Sequence, residues 1–204
     1  MKTSRNTPSG HHAPAASHAE HHYAPGDTVG SRELTTIHGR RVSVPAPGLL
    51  THLQFRRFAG CPFCNTHLRS IAVRHNELVD AGIFEVAVFH SSAKAMLPHH
   101  DGLPFAVVPD PEKTLYAAFG VGSSKKAVFD PRVWPTAVRG FPDGWRGNRA
   151  GRPSYPTEHE SVFGLPADFL ISGDGTVLAA KYGRNALDHW SVGELLALAA
   201  NHTG

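Results

Sequence analysis

No run of apolar residues in this chain approaches the ~20 that a membrane-spanning helix needs, and there are only 2 cysteines. The first lack argues against a helical membrane anchor. The second rules out a disulfide framework, because one pair cannot staple a domain of this length. Lys/Arg runs of the kind that form a nucleic-acid surface are also missing, and 20 basic against 17 acidic residues leave a net charge of only +3. The opening MKTSRNTPSGHHAPAASHAEHH lacks the apolar stretch of a secretory signal, so a soluble, cytoplasmic protein is expected. In a reducing compartment a close cysteine pair is more often catalytic or metal-binding than structural.

Hydrophobic residues make up 41% of the 204, enough for one ordinary core. Residues 1–27 are rich in His, Ala, Pro and Ser and have almost no large apolar side chain. They bury too little to offset the entropy of ordering, and a disordered tail is expected there. His11, His12, His18, His21 and His22 give that tail weak affinity for Ni, Cu or Zn, with a plain soluble tail as the simpler reading.

From residue 28 to 204 the pattern is that of a folded domain. SRELTTIHGRRVSVP reads as two short strands around the turn His38-Gly39-Arg40. LLTHLQFRRFA (49–59) is rich in apolar and aromatic residues and reads as a central strand ending at Gly60-Cys61. A helix is expected from Pro62 to about Ala81, with Leu68, Ile71, Ala72, Leu78 and Val79 on one side. IFEVAVFH (83–90) is a buried strand, SSAKAML a short helix stopped by Pro98, and PFAVVPD (104–110) a further strand. DPEKTLYAAFGV opens a helix with Asp110 as N-cap and Pro111 at its first position. LPADFLIS, the turn GDG and TVLAAKYG form a hairpin, and SVGELLALAA closes the chain as a helix with Ser191 and Glu194 at capping-box spacing. Strands alternating with helices imply an α/β fold, a parallel or mixed sheet with helices on both faces, preceded by an N-terminal β-hairpin. Residues 131–160, dense in Pro, Gly, Arg and Trp, interrupt this order and read as an inserted lid or docking loop, or as a solvated excursion.

Both cysteines lie in FRRFAGCPFCNTHLRSI. Cys61 falls at the strand-to-helix turn, Pro62 starts the helix, and Cys64 lies one turn in. Side chains three apart on a helix have Cβ atoms roughly 5–6 Å apart, and a disulfide prefers Cα atoms about 5.5 Å apart, so the two thiols can bridge. The helix N-terminus supplies partial positive charge and free N–H donors. A thiol there can drop from ~8.5 to ~3.5–7.5. Arg57, on the incoming strand, adds positive potential if it turns toward the site. A zinc site needs two more ligands, and there is no second CxxC and no well-spaced His pair. Two inert buried thiols, and an Arg57 that pairs with a surface acid, are the plainer alternatives.

GCPFC after a strand, then PFAVVPDPEKTLYAAFGV, then GLPADFLISGDGTVLAAKYG, resemble the alkyl hydroperoxide reductase/thiol-specific antioxidant (AhpC/TSA) family, and most closely its peroxiredoxin-like members with a CxxC motif. The resemblance runs from about Gly26 to Ala200, apart from 131–160. It implies a thioredoxin-like fold, with a central mixed sheet flanked by helices, and it implies that Pro166 is the cis-proline facing the CxxC. The family's efficient peroxidases carry a Pro seven residues and a Thr three residues before the reactive Cys. Counting back from Cys64 gives Arg57 and Cys61, and from Cys61 gives Gln54 and Phe58. The Arg usual near the last strand pair has no counterpart at Gly164-Leu165. Dithiol chemistry is therefore implied more firmly than rapid peroxide reduction.

Weaker candidates are His90, Ser91 and Ser92, at the strand end where Cys61 should lie, and Asp188, His189 and Trp190 before the last helix. His90 is either an acid/base group or a satisfied loop histidine. The leading expectation is a thiol-dependent redox enzyme using Cys61 and Cys64 with no organic cofactor and no resident metal. Its substrate would be a peroxide or a disulfide, and a thioredoxin-type dithiol or a low-molecular-weight thiol would reset it. Cys61 would attack in disulfide exchange, and the roles could reverse in a peroxidase. A non-catalytic redox sensor that docks a partner, and a metal-handling protein, are the alternatives.

Overall fold

The computed structural model describes residues 22–123, 156 and 160–202. The insertion expected at 131–160 lies outside the described residues except at 156 and 160, as does the tail through residue 21. Residues 22–27, expected in the tail, pack on the domain. His22 stacks on Tyr182 at 4.5 Å, Tyr23 meets the Phe119 ring at 5.0 Å, and Gly26 N donates to Val177 O at 2.8 Å. Tyr23 is the one aromatic residue of that stretch, and it finds a core face to bury against.

Strands β1 (Arg32–Thr35) and β2 (Arg41–Val44) form the expected antiparallel hairpin, with Arg32 opposite Val44 and Thr35 opposite Arg41. Its turn needs Gly39 at φ 74, a conformation that costs glycine little. Within the same connection, Ile37 N donates to Val107 O at 2.9 Å and ties the hairpin to the main sheet.

That sheet has 5 strands in the order β5-β4-β3-β6-β7, namely β3 (Leu50–Phe55), β4 (Ile83–Phe89), β5 (Ala106–Pro109), β6 (Ala167–Ile171) and β7 (Val177–Tyr182). β3, β4 and β5 are parallel because helices cross between them, whereas β6 pairs antiparallel with both β3 and β7. The mixed sheet is therefore as expected.

The helices among the described residues are α1 (Pro62–Val73), α2 (His75–Asp80), α3 (Ala93–His100), α4 (Thr114–Ala118) and α5 (Val192–Ala200). Four details differ from the sequence reading. The single helix expected over 62–81 breaks at Arg74, whose guanidinium clasps Glu77 at 2.6 and 2.7 Å. Past the break Val79 is 54% exposed rather than buried. Pro98 does not stop α3 but lies inside it, since the carbonyl it leaves unbonded belongs to the exposed Lys94. α4 starts at Thr114 rather than Pro111, yet Asp110 still caps it, accepting from Thr114 N and Leu115 N at 3.0 and 2.8 Å. The Ser191–Glu194 capping box at α5 is present.

Strand alternation divides the core between the two faces of the sheet. Ala87 and Phe89 of β4 meet Leu68, Ile71, Leu78, Leu195 and both cysteines on one face. Leu53, Phe55, Val86 and Val88 meet Leu115 and Phe119 on the other. The strand ends of β3 and β4 carry Arg56, Arg57 and His90 to the edge where α1 begins.

Candidate active site

Cys61 is the N-cap residue of α1 in extended conformation, with Pro62 at the first helical position. A proline fits there because its missing N–H would have had no helical partner. The turn is tied on both sides. Cys61 N donates to Phe58 O and Asn65 N to Cys61 O, both at 3.0 Å, while Ala59 N donates to Ser91 Oγ at 2.9 Å. Cys64, one turn on, donates its thiol hydrogen to Cys61 Sγ at 3.0 Å. That distance exceeds the ~2.05 Å of a disulfide, and both cysteines are free. Cys61 has no exposed surface and Cys64 is buried.

Arg57 turns toward the pair, with Nη1 3.9 Å from Cys61 Sγ, and its other nitrogen Nη2 donates to Val162 O. Burial alone would raise the Cys61 pKa. The hydrogen bond from Cys64, the Arg57 charge and the backbone N–H groups of Cys64 and Phe63 outweigh it and bring Cys61 down to about 6. Cys64 moves well up, through burial and the neighbouring Cys61 charge. One thiolate and one thiol thus lie side by side at neutral pH.

Three of the four sequence-predicted site residues, Cys61, Cys64 and Arg57, come together. Pro166 departs from expectation. The peptide bond before it is trans, and among the described residues the cis bond is Val44–Pro45. Pro166 opens β6 as an ordinary strand-start proline, with its carbonyl accepting from Gly183 N at 2.8 Å. Its ring lies so close to Gly183 that a Cβ there would stand 2.7 Å from Pro166 Cγ.

The sequence reading missed a buried polar network under α1 and α5. On β3, His52, Gln54 and Arg56 point to the face opposite Leu53 and Phe55, and they are at most 1% exposed. His52 meets Glu85 of β4 at 2.8 Å and Asp168 of β6 at 3.2 Å. Arg56 donates to Asp168 at 2.6 Å and reaches His67 of α1 at 3.0 Å, and Gln54 bridges Glu85 and Arg56. His189 stacks on His67 at 3.7 Å, and Trp190 N lies 3.4 Å from Asp168. Two cations, two carboxylates and a neutral His67 thereby fix both helices to the sheet. The signal in the sequence was the i, i+2, i+4 run of His52, Gln54 and Arg56 inside a central strand.

Charge on this network makes stability depend on pH. Burial opposes protonation of His52, but Glu85 and Asp168 outweigh it and raise its pKa from 6.5 to about 9. Its contribution is whole below the unfolded value and is lost as pH rises toward about 9. Burial pushes His67, His90, His100 and His189 the other way, so the unfolded chain takes up protons that they do not, and stability falls as pH drops below 6.5. Burial pushes Asp168 up, but Arg56 and His52 hold it below its ordinary value, which adds to the loss in strong acid. A Cys61→Ser/Cys64→Ser protein, freed of thiol titration, should be most stable near pH ~6.5 in urea melts and weaker at about 4.5 and about 9. Stability that is flat or rising from about 6.5 to about 9 would contradict a protonated His52.

Among the described residues no helix is long and apolar enough to cross a membrane. No group of three or more His, Cys, Asp or Glu side chains among them is gathered to hold a metal ion.

The profile of the AhpC/TSA antioxidant enzymes matches residues 70–185, a span that begins after the two cysteines. No curated protein matches the chain. Among solved structures, peroxidoxin BcpB from Mycobacterium tuberculosis superposes with a TM-score of 0.64 at 16% identity, over 90% of this chain and 100% of that one. Peroxiredoxin Q from Xanthomonas campestris gives 0.58 at 18%, over 85% and 92%. A thiol peroxidase from Chromobacterium violaceum gives 0.58 at 12%, over 90% of each chain. At these identities the likeness is one of fold, the thioredoxin-like fold of the peroxiredoxins.

Proposed function

The chain belongs to the AhpC/TSA antioxidant enzyme family, and from that premise we propose that it is a thiol peroxidase working through Cys61 and Cys64. The observation that carries the reading is the asymmetry of the pair. Cys61 is brought down to about 6 beside Arg57, while Cys64 stays protonated 3.0 Å away. The Cys61 thiolate attacks the terminal oxygen of a hydroperoxide, the O–O bond breaks, and the leaving alkoxide takes a proton to become an alcohol. Cys61 is then a sulfenic acid and no longer a negative charge against Cys64, so Cys64 can ionise and attack it. A disulfide forms and water leaves. An external dithiol of thioredoxin type, or a low-molecular-weight thiol, reduces the disulfide by exchange.

A Cys64→Ser protein treated with one equivalent of hydroperoxide should hold a sulfenic acid at Cys61, trapped by dimedone and located by mass spectrometry. Label absent from Cys61, or found on Cys64 in a Cys61→Ser protein, would overturn the assignment of roles.

Arg57 contributes through its charge. Arg57→Met should move the midpoint of Cys61 alkylation by iodoacetamide upward from about 6 and slow alkylation at neutral pH several-fold, on the order of 10-fold per pKa unit. A midpoint that stays in place would remove Arg57 from the site.

A further inference from the structure

His90 follows β4 and is 2% exposed, yet neither ring nitrogen has a hydrogen-bond partner among the described residues. Buried polar atoms are nearly always paired, so an imidazole with two unpaired nitrogens needs a reason. Its surroundings supply one. A Cβ built on Gly164 would lie 3.1 Å from His90 Nε2 and 3.8 Å from Arg57 Cγ. His90 Nε2 and the stem of Arg57 therefore border the same bare glycine. Tyr116 stands edge-on to the imidazole at 5.7 Å and is itself held by its hydroxyl, which donates to the carbonyls of Arg56 and Val88. Among the described residues the charged groups that face His90 are Lys113, Glu160 and Arg57. From this position Arg57 reaches Cys61 Sγ at 3.9 Å.

We infer that His90 is a catalytic residue of this site, its Nε2–H hydrogen-bonding the leaving oxygen of a hydroperoxide whose terminal oxygen Cys61 attacks. The inference rests on the peroxidase reading. In the step, an electron pair of the Cys61 thiolate forms the S–O bond, and the attacked oxygen keeps its hydrogen. The O–O electron pair departs on the alkoxide, which takes a proton from water. Sulfur is oxidised and the peroxide is reduced. Arg57 balances the charge as it moves from sulfur to oxygen, and His90 holds the oxygen on which it lands. Burial and then Lys113 keep the imidazole neutral, down to about 4, so at neutral pH one nitrogen carries a hydrogen and no second full charge is placed beside Arg57.

The test compares two reactions of Cys61 in the full chain. One is oxidation by tert-butyl hydroperoxide, which needs the leaving oxygen held. The other is alkylation by iodoacetamide, which needs only the thiolate. His90→Phe keeps a ring and removes both nitrogens, while His90→Gln keeps an amide donor. The oxidation rate constant should fall about 10²-fold in His90→Phe and about 10-fold in His90→Gln, with alkylation at the same pH within about two-fold of wild type. An oxidation-to-alkylation ratio that does not change, or two rates that fall together, would overturn the role and leave His90 as packing. If His90→Phe gives no cooperative melt, the ratio in His90→Gln decides. A wild-type Cys61 that no hydroperoxide oxidises overturns the peroxidase reading and this role with it. A wild type that is oxidised alongside an unaffected variant overturns the role alone.

Discussion

Cys61→Ser should abolish peroxide-dependent turnover with any thiol donor, a fall of about 10³-fold or more, because serine offers no thiolate at neutral pH. Cys64→Ser should behave differently. It should consume one equivalent of hydroperoxide and then stop with a thioredoxin-type donor, since the donor must reduce a disulfide that can no longer form. The contrast follows from the one hydrogen shared between two sulfurs 3.0 Å apart. The sulfur that accepts it is the nucleophile, and the sulfur that gives it is held in reserve by burial and by its neighbour's charge. NADPH consumption coupled through a thioredoxin system, set against direct peroxide loss, separates the two variants. Equal and complete turnover by both single variants would rule out the dithiol mechanism.

Asp168→Ala should destabilise the protein by about 3–5 kcal/mol, the usual cost of removing one partner from a buried charge cluster. Asp168 is fully buried and takes hydrogen bonds from both Arg56 and His52. Without it two cations are left to Glu85 and Gln54. For a domain of ordinary stability, about 5–15 kcal/mol, that loss is a large fraction of the whole. Chemical denaturation at neutral pH measures it, and a loss under about 1 kcal/mol would mean that the network is solvated in solution. Replacing the whole cluster with apolar residues of similar volume is a separate experiment, and general experience with buried ion pairs allows it to be neutral. The cluster's specific contribution is position, because it joins β3, β4 and β6 to His67 of α1 and to the residues just before α5.

The cysteine turn was legible because everything it needs is local: a strand, a proline at the helix start, and a second thiol one turn on. The mixed sheet and the β6–β7 hairpin were legible for the same reason, since alternating strands and helices imply crossovers and a GDG turn joins an antiparallel pair, whereas the placing of β6 beside β3 was not. What escaped depends on partners far apart in sequence. Nothing in the sequence singles out His52, and only the register that sets it opposite Glu85 and Leu170, two residues from Asp168, makes it part of a charge network. His90 read most simply as a satisfied loop histidine, and that its ring has no hydrogen-bond partner among the described residues and borders Gly164 of a distant segment shows only in the fold. Pro166 was expected to be cis from the family resemblance, and the bond before it is trans. Pro98 sits inside α3, where the residue whose carbonyl it leaves unbonded, Lys94, is exposed, which a proline rule applied to sequence does not see.

The most direct measurement is the loss of thiols from reduced full-length protein on mixing with hydrogen peroxide, an alkyl hydroperoxide and a low-molecular-weight disulfide in turn, with the products mapped by mass. One equivalent of hydroperoxide should convert Cys61 and Cys64 into a single intramolecular disulfide, and a thioredoxin or glutathione system should recycle it over many turnovers. Ready exchange with the disulfide while both hydroperoxides leave the thiols intact would contradict the peroxidase reading, and would make the protein a thiol–disulfide oxidoreductase on a peroxiredoxin frame.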